Sequence, residues 1–125
     1  MAFDSISVGP HADRYRAENH WSGETILDYF DAAVRSRPAS TAVVCPRGRR
    51  LSFAQLDEES RNVAAGFAAA GLGKGDVVSV QLPNWAEFVI VHLAATRLGA
   101  LTNPLLPVYR DLLAAGDFEL MSGPH

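Results

Sequence analysis

Glycines around a lysine are the first feature of this sequence that could do chemistry, because such a loop can hold phosphate. Gly71, Gly73 and Gly75 surround Lys74, the only lysine in the chain, and backbone N–H groups bind phosphate at helix N-termini. A Walker loop requires Gly-x-x-x-x-Gly-Lys-Ser/Thr between a strand and a helix, and a dinucleotide loop requires Gly-x-Gly-x-x-Gly. Segment 71–76 has neither spacing, and it leaves a helix to enter a strand. We therefore predict a helix-ending turn.

Cysteine and histidine side chains are spaced in a way that indicates no catalytic or metal-binding set. Cys45 is the only cysteine, which excludes an internal disulfide, and it ends an apolar run at 41–45 where a small thiol packs well. Nucleophilic catalysis would require a partner base that the sequence does not show. No metal-ligand spacing relates Cys45 to the histidines, which are His11, His20, His92 and His125.

Charged residues cluster at two places, and neither cluster indicates a site. Asp57, Glu58 and Glu59 occupy consecutive helical positions, where side chains fan out. Glu58 can pair with Arg61 three residues on, so we predict a solvated face. A basic patch on a predicted hairpin turn could touch a phosphate or CoA, but the absence of flanking aromatics favours a solubilising turn. The patch consists of Arg47, Arg49 and Arg50.

Aromatic side chains lie near the start of one predicted helix. Trp85 and Phe88 could line a pocket, but such a pair on a helix that packs against a sheet is typical of a core. His92 shares a side of this helix with Phe88 and Ala95, which favours a packing role.

Composition indicates one soluble globular domain: 48% of the 125 residues are hydrophobic, 20% are charged and the net charge is -3. A mildly acidic chain has no general attraction for nucleic acid or anionic membrane. Met1–Pro10 lacks a basic start and a long apolar run, so no signal peptide is expected. No segment has the apolar length of a membrane span. We therefore expect a cytoplasmic protein.

The helices and strands that position these residues can be predicted from the spacing of apolar residues along the sequence. Residues 1–23 have little apolar periodicity and are expected to form an extended, polar arm. A helix is predicted over about 25–36, because apolar residues recur at helical spacing and Pro38 prevents continuation.

A hairpin followed by a helix is predicted next. Residues 41–45 and 50–52 are expected to pair across a short turn. Ser52 and Gln55 have the spacing of a capping box, so a second helix should begin there and end at Gly71.

The last part of the pattern is a strand, a helix and a strand. Residues 77–82 form a β-branched run that predicts a buried strand. Asn84 and Glu87 again have the capping spacing and predict a third helix to about residue 98. Residues 100–105 predict another strand, so the two strands should be parallel, with a right-handed crossover. The predicted class is α/β, with a β-hairpin and a parallel β-α-β unit.

Several segments resemble, in order, the N-terminal part of AMP-forming (adenylate-forming) acyl-CoA or aryl-CoA ligases, the AMP-dependent synthetase/ligase family. The resemblance implies a partial N-terminal subdomain of that ligase fold. It leans toward enzymes that act on aryl, alicyclic or fatty acids. The matching segments are Tyr15–Trp21, Leu51–Leu56, Ala64–Phe67, Gly71–Val78, Gln81–Phe88, Arg97–Ala100 and Asn103–Arg110.

The resemblance also implies which chemistry is missing from this sequence. Family members convert ATP and a carboxylate to an acyl-adenylate and pyrophosphate, and then usually pass the acyl group to CoA, with magnesium as a cofactor. Their phosphate loop has the form Thr-Ser-Gly-Thr-Thr-Gly-x-Pro-Lys-Gly. Ser22–Thr25 is the nearest match here, and it lacks the second glycine and the Pro-Lys. We therefore predict no catalytic, cofactor-binding or metal-binding residue in this chain.

The resemblance divides the chain into an arm at 1–23, a ligase-like segment at 24–110 and a divergent tail at 111–125. An abrupt change at residue 111 is consistent with a frame change or an early stop. One functional hypothesis is a truncated or split ligase portion that is inactive alone. The alternative is a non-catalytic module that pairs with a separately encoded ligase remainder or a paralogue. A stand-alone α/β enzyme has the least support.

Overall fold

Helices and short strands alternate along the described part of the chain, residues 9–46 and 48–109 of a computed structural model. The predicted α/β class is confirmed. Arg47, His125 and the tail at 111–125 lie outside the described residues. The elements are α1 (Gly9–Ala17), α2 (Ile26–Ser36), β1 (Thr41–Val44), β2 (Arg50–Ser52), α3 (Phe53–Ala69), β3 (Val77–Val80), α4 (Ala86–Arg97), β4 (Leu101–Pro104) and a 3-10 turn (Pro107–Tyr109).

Helix α1 corrects the expectation of an extended arm, which is wrong for Gly9–Ala17. The helix is stabilised by contacts between neighbouring side chains on a polar surface. It has no apolar stripe, so hydrophobic periodicity could not detect it. Arg14 pairs with Glu18 one turn later, at 3.3 Å. The Tyr15 ring packs against Trp21, with ring centroids 5.2 Å apart. Local pairing therefore accompanies a helix that the hydrophobic pattern does not indicate.

Helix α2 and the hairpin form where the sequence predicts them. The Thr25 hydroxyl accepts the Asp28 N–H, and the Asp28 carboxylate accepts the Thr25 N–H at 2.7 Å, so a capping box begins α2. Strands β1 and β2 are antiparallel, with a register irregularity after Thr41. Gly48 adopts φ +83° in the turn, a conformation that glycine reaches without strain.

Two predicted capping boxes have opposite outcomes. At α3, the Ser52 hydroxyl accepts the Gln55 N–H at 3.1 Å and the Gln55 amide oxygen accepts the Ser52 N–H at 2.9 Å, which confirms the prediction. At α4 the prediction is wrong, because the N-cap is Trp85, whose side chain makes no capping hydrogen bond. Glu87 instead accepts a hydrogen bond from Arg49, at 2.6 Å.

Strands β3 and β4 are parallel, as predicted, and α4 connects them. The register pairs Val77 with Leu101 and Val80 with Pro104. Gly99 ends the helical segment with φ +73°, and an added Cβ would lie 3.2 Å from the Lys74 side chain. Only glycine fits this turn without strain.

The hydrophobic core lies between the hairpin, α3 and α4. Its buried members are Cys45, Leu51, Leu56, Ala86, Ile90 and Leu93. The prediction that β3 is a buried strand is wrong, since only Val80 of that strand is buried. Val77 and Leu101 are each 49% exposed. Among the described helices, none has the length and apolar character that a membrane crossing requires.

Candidate functional site

An apolar groove lies at the carboxyl ends of β3 and β4, with a volume of about 330 Å³. Ligands of open α/β sheets bind at this edge, because the loops that leave parallel strands meet there. The groove is lined by Leu82, Pro83, Asn84, Phe88, Pro104, Leu105, Leu106 and Pro107.

Backbone and amide hydrogen bonds fix the two loops that form this groove. The Leu105 N–H donates to the Val80 carbonyl at 2.8 Å, which continues the parallel pairing one residue past β4. The Gln81 side-chain amide donates to the Leu106 carbonyl at 3.2 Å and so connects the two strand exits. Prolines in both loops restrict the backbone further. The groove is therefore held by contacts between the two loops.

Phe88 forms part of the groove wall and rests on His92, with near-parallel rings 6.4 Å apart. His92 Nδ1 lies 2.9 Å from the Thr102 hydroxyl, which connects α4 to β4. The predicted packing role of His92 is thus confirmed. The core assignment of Trp85 and Phe88 is wrong, because both are half-buried and line clefts.

The chemistry that this groove can perform follows from its lining. Leucine, proline and phenylalanine side chains offer dispersion contacts, and the Asn84 amide is the single polar side chain among the described lining residues. None of these described side chains titrates, so they supply no general acid, general base or phosphate-neutralising cation. It is suited to holding an apolar group or packing against another part of a protein.

A smaller cleft of about 160 Å³ is lined by Cys45, Arg49, Trp85 and Glu87. The buried Cys45 thiol accepts a hydrogen bond from the Ala86 N–H at 3.0 Å, so the thiol has a structural contact as predicted. This contact connects the hairpin turn to the first residue of α4.

Arg49 forms ion pairs with one glutamate of α3 and one of α4, which corrects its assignment to a turn that only adds solubility. Both Glu59 carboxylate oxygens accept from its guanidinium at 2.9 Å, and Glu87 accepts at 2.6 Å. The Glu59 hydrogen bonds are the main cause that raises the pKa of Arg49, and Glu87 adds to it. Two carboxylates match this one cation, so the cleft has no excess positive charge for a phosphate. Arg50 is exposed on β2.

The three consecutive acidic side chains of α3 point in different directions, as predicted, but their ion-pair partners differ from the prediction. Arg61 donates through Nε to both Asp57 oxygens at 3.0 Å, and this bond raises the pKa of Arg61. The expected Glu58–Arg61 pair is therefore wrong. Asp57 also accepts from Arg97 at 2.7 Å and is only 18% exposed, so the predicted solvated face does not include it.

Sequence reasoning missed the polar network between α2, α3 and α4. Arg97 donates to Asp31 of α2 and to Asp57 of α3, at 2.7 Å in both cases. Its Nε is buried and has no hydrogen-bond partner among the residues that the structure describes. The residues are 66 and 40 positions apart, and no local spacing rule relates them.

The glycine-lysine loop uses its backbone donors internally. The Asp76 carboxylate accepts the Gly73 N–H at 2.7 Å, and the Gly75 N–H donates to the Gly99 carbonyl at 3.0 Å. The Gly71 N–H donates to the Ala68 carbonyl at 3.0 Å. A helix-ending turn is confirmed, and the loop does not fit a phosphate.

ATP, magnesium and CoA do not fit the clefts that these residues form. Within residues 9–46 and 48–109, no group of three or more histidine, cysteine or acidic side chains could hold a metal ion. Each cleft described above either has no cation or has its cation paired with carboxylates.

Comparison with known proteins agrees with the fold. Residues 30–112 match the model of a family described as "AMP-binding enzyme", which is more than half of the chain. Among curated relatives, the medium-chain fatty-acid–CoA ligase of Escherichia coli is 34% identical over 97 residues, covering 78% of this chain and 17% of that protein. The salicyl-AMP ligase / salicyl-S-ArCP synthetase of Mycobacterium tuberculosis is 37% identical over 106 residues, covering 79% and 19%.

Solved structures give the same result. The apo structure of MbtA from Mycobacterium smegmatis aligns with a TM-score of 0.71 and 32% identity, over 91% of this chain and 21% of that chain. The N-terminal subdomain of NpsA from Klebsiella oxytoca shares the fold, with a TM-score of 0.66 over 77% of this chain and 25% of that chain. The present chain spans less than a fifth of the length of the two curated relatives.

Proposed function

This chain belongs to the AMP-binding enzyme family, and on that premise we propose that it is an N-terminal scaffold portion of an adenylate-forming acid ligase that is inactive alone. The observation that carries the proposal is the groove at the strand ends. It occupies the edge where α/β enzymes place their sites, yet the lining side chains that the structure describes all lack a charge. Such a groove can support a site but cannot stabilise the charge of a phosphoryl transfer.

The proposed substrate class is a carboxylic acid with an apolar or aromatic body. The names of relatives specify a medium-chain fatty acid, a salicyl group and 2,3-dihydroxybenzoate. A choice between fatty, alicyclic and aryl acids would depend on pocket residues that the rest of such a ligase supplies. ATP, magnesium and CoA would likewise be bound by that remainder, with the reaction taking place in the cytoplasm.

A second function is favoured by one specific observation, the exposed apolar pair Val77 and Leu101 on a sheet that has two strands in the described part of the chain. A sheet with unpaired edges either finds a partner or aggregates. In this version, the chain is a non-catalytic module that pairs with a separately encoded ligase remainder or with a paralogue. The two functions share the requirement for further ligase sequence.

ATP–pyrophosphate exchange tests the proposal directly. The purified 125-residue chain is assayed with octanoate, salicylate and 2,3-dihydroxybenzoate, at a chain concentration equal to that of the acid. We expect exchange equal to the protein-free blank, because no residue set can stabilise the transferring phosphoryl charge. The full-length Escherichia coli medium-chain ligase with octanoate is the positive control. Exchange above the blank by a folded chain would contradict the proposal.

A further inference from the structure

One face of the β3–β4 sheet is uncovered. Residues at paired positions of parallel strands point to the same side, so Val77, Ser79, Leu101 and Asn103 share a face. The opposite face includes Thr102, whose hydroxyl contacts His92 of α4. Helix α4 therefore covers one side of the sheet. The side defined by these four residues is the open face. The end of α3 borders it at β3, where Phe67 lines a cleft with Val77 and Ser79, but Val77 and Leu101 stay half-exposed.

The open face has the composition of an interior surface. Val77 and Leu101 lie opposite each other in the register and are each 49% exposed. The Asn103 side-chain amide donates a hydrogen bond to the Ser79 hydroxyl at 3.2 Å, so these two polar side chains pair with each other. None of the four residues is charged. Parallel sheets occur almost only with both faces covered, so this face is an incomplete interior.

The strand edges are incomplete in the same way. In the described residues, β3 and β4 hydrogen-bond to each other and to no further strand. A pair of strands is marginally stable in water, and its free edges are templates for another strand. The open face and the two free edges belong to one continuous surface, and a single partner can cover both.

The relatives indicate what this partner is. This chain covers 17% of the Escherichia coli ligase and 21% of MbtA, so most of the polypeptide of such a protein lies beyond the aligned part. We propose that the open face and free edges of β3–β4 bind the remainder of an adenylate-forming ligase, which adds a strand at an edge and an apolar layer over Val77 and Leu101. The inference rests on the proposed function.

Association with a shortened relative tests the inference. The probe is the tagged Escherichia coli medium-chain ligase without the segment that this chain matches, co-expressed with the full 125-residue chain. We expect the wild-type chain to co-purify with the probe. Val77→Lys and Leu101→Lys should reduce recovery of the chain at least about tenfold, because each would bury an unpaired charge at the interface.

A matched variant elsewhere on the surface provides the control. Ile26 is 67% exposed at the start of α2, so Ile26→Lys adds the same charge away from β3–β4 and should recover as wild type. Far-UV circular dichroism verifies that each variant is folded. Hydrogen exchange of the wild-type complex gives an independent readout, with added protection expected at residues 77–80 and 101–104.

Several outcomes would overturn the inference. The wild-type chain could fail to co-purify, or the two lysine variants could co-purify as wild type. Self-association of the wild-type chain that Val77→Lys abolishes would assign the open face to a second copy. The proposed function is judged separately, since it fails if the chain alone catalyses pyrophosphate exchange, whatever the binding result.

Discussion

Arg97 shows how one buried cation can join three helices. From α4, its guanidinium donates to Asp31 of α2 and Asp57 of α3, and it lies 5.8 Å from the centroid of the Phe30 ring. The side chain is 13% exposed. Desolvation makes such a cation costly unless its partners are in place, so the two carboxylates fix where α2 and α3 lie against α4.

Replacement of Arg97 with methionine should therefore destabilise the chain much more than loss of a surface pair. Arg97→Met leaves two part-buried carboxylates without this cation, and we expect a loss of about 2 kcal/mol in the free energy of unfolding. The matched control is Arg61→Met, which removes the other cation bound to Asp57 but is 57% exposed. Its expected cost is about 0.5 kcal/mol. Urea denaturation measures both, and equal losses would contradict a central role for Arg97.

Sequence spacing could predict only part of this network, for a physical reason. Residues four apart on a helix are neighbours, so the Asp57–Arg61 pair follows from spacing alone. The competing Glu58–Arg61 prediction used the three-residue spacing and was wrong. The Asp31–Arg97 pair depends on how two helices pack, and no local rule contains that information. Long-range ion pairs are visible only once the fold is known.

Capping boxes at α2 and α3 have the same hydrogen-bond geometry but different chemistry. At α2, the Thr25 backbone N–H is the main cause that lowers the pKa of Asp28 from 3.8, and the Thr25 hydroxyl adds to it. A carboxylate whose pKa is lower in the folded state stabilises that state above its unfolded pKa. This contribution is lost as pH falls through the folded pKa. The Gln55 amide at α3 makes an equivalent bond without titrating.

The two caps should therefore respond differently to acid. Asp28→Asn should reduce the free energy of unfolding at pH 6, and the difference from wild type should shrink as pH falls below 3.8. Gln55→Ala should reduce stability by an amount that stays constant over that range, since no proton is exchanged. Urea denaturation of the three proteins between pH 6 and pH 2.5 measures this. A constant difference for Asp28→Asn would contradict the role of its charge.

The start of α4 shows where local signals cease to determine an element. Asn84 and Glu87 have the spacing that works at Ser52 and Gln55, yet the helix begins after Trp85 and Glu87 bonds to Arg49 of the hairpin turn. In the Arg49–Glu87 bond both partners are ionised, whereas in a capping bond from the Asn84 N–H only the Glu87 carboxylate would carry a charge. The tertiary partner therefore competes for Glu87, and the sequence contains no sign of that competition.

At the scale of the whole molecule, the predicted order of elements from 25 to 104 holds while the distribution of burial does not. Periodicity located the α2 helix, the hairpin and the β-α-β unit because each has a local pattern. It placed β3 in a core because β-branched runs are usually covered on both sides. In this chain the core joins the hairpin to α3 and α4, and the covering layer of β3 is not among the described elements. A local hydrophobic pattern indicates that a strand is suited to burial. Whether the strand is buried depends on which other elements of the fold pack against it.

This uneven burial predicts uneven protection from hydrogen exchange. Leu56 of α3 and Ile90 of α4 are buried in the core, so amides of these helices should exchange only in large openings. Within residues 9–46 and 48–109, β3 and β4 pair only with each other and have one open face. Their amides should therefore exchange through local openings, at least about tenfold faster. Hydrogen exchange of the isolated chain, followed by mass spectrometry of peptides from both regions, makes the measurement.

A core variant distinguishes local opening from general instability. Leu56→Ala should accelerate exchange in α3 and α4 strongly, because truncating a buried leucine costs about 2–5 kcal/mol, and should change β3 and β4 much less. Val77→Ala, at a half-exposed position, should leave the exchange of α3 and α4 unchanged. Equal protection of both regions in the wild-type chain would mean that the β3–β4 pair opens only with the core. The open face would then be a stable surface of the isolated chain, and its stability would not require a covering partner.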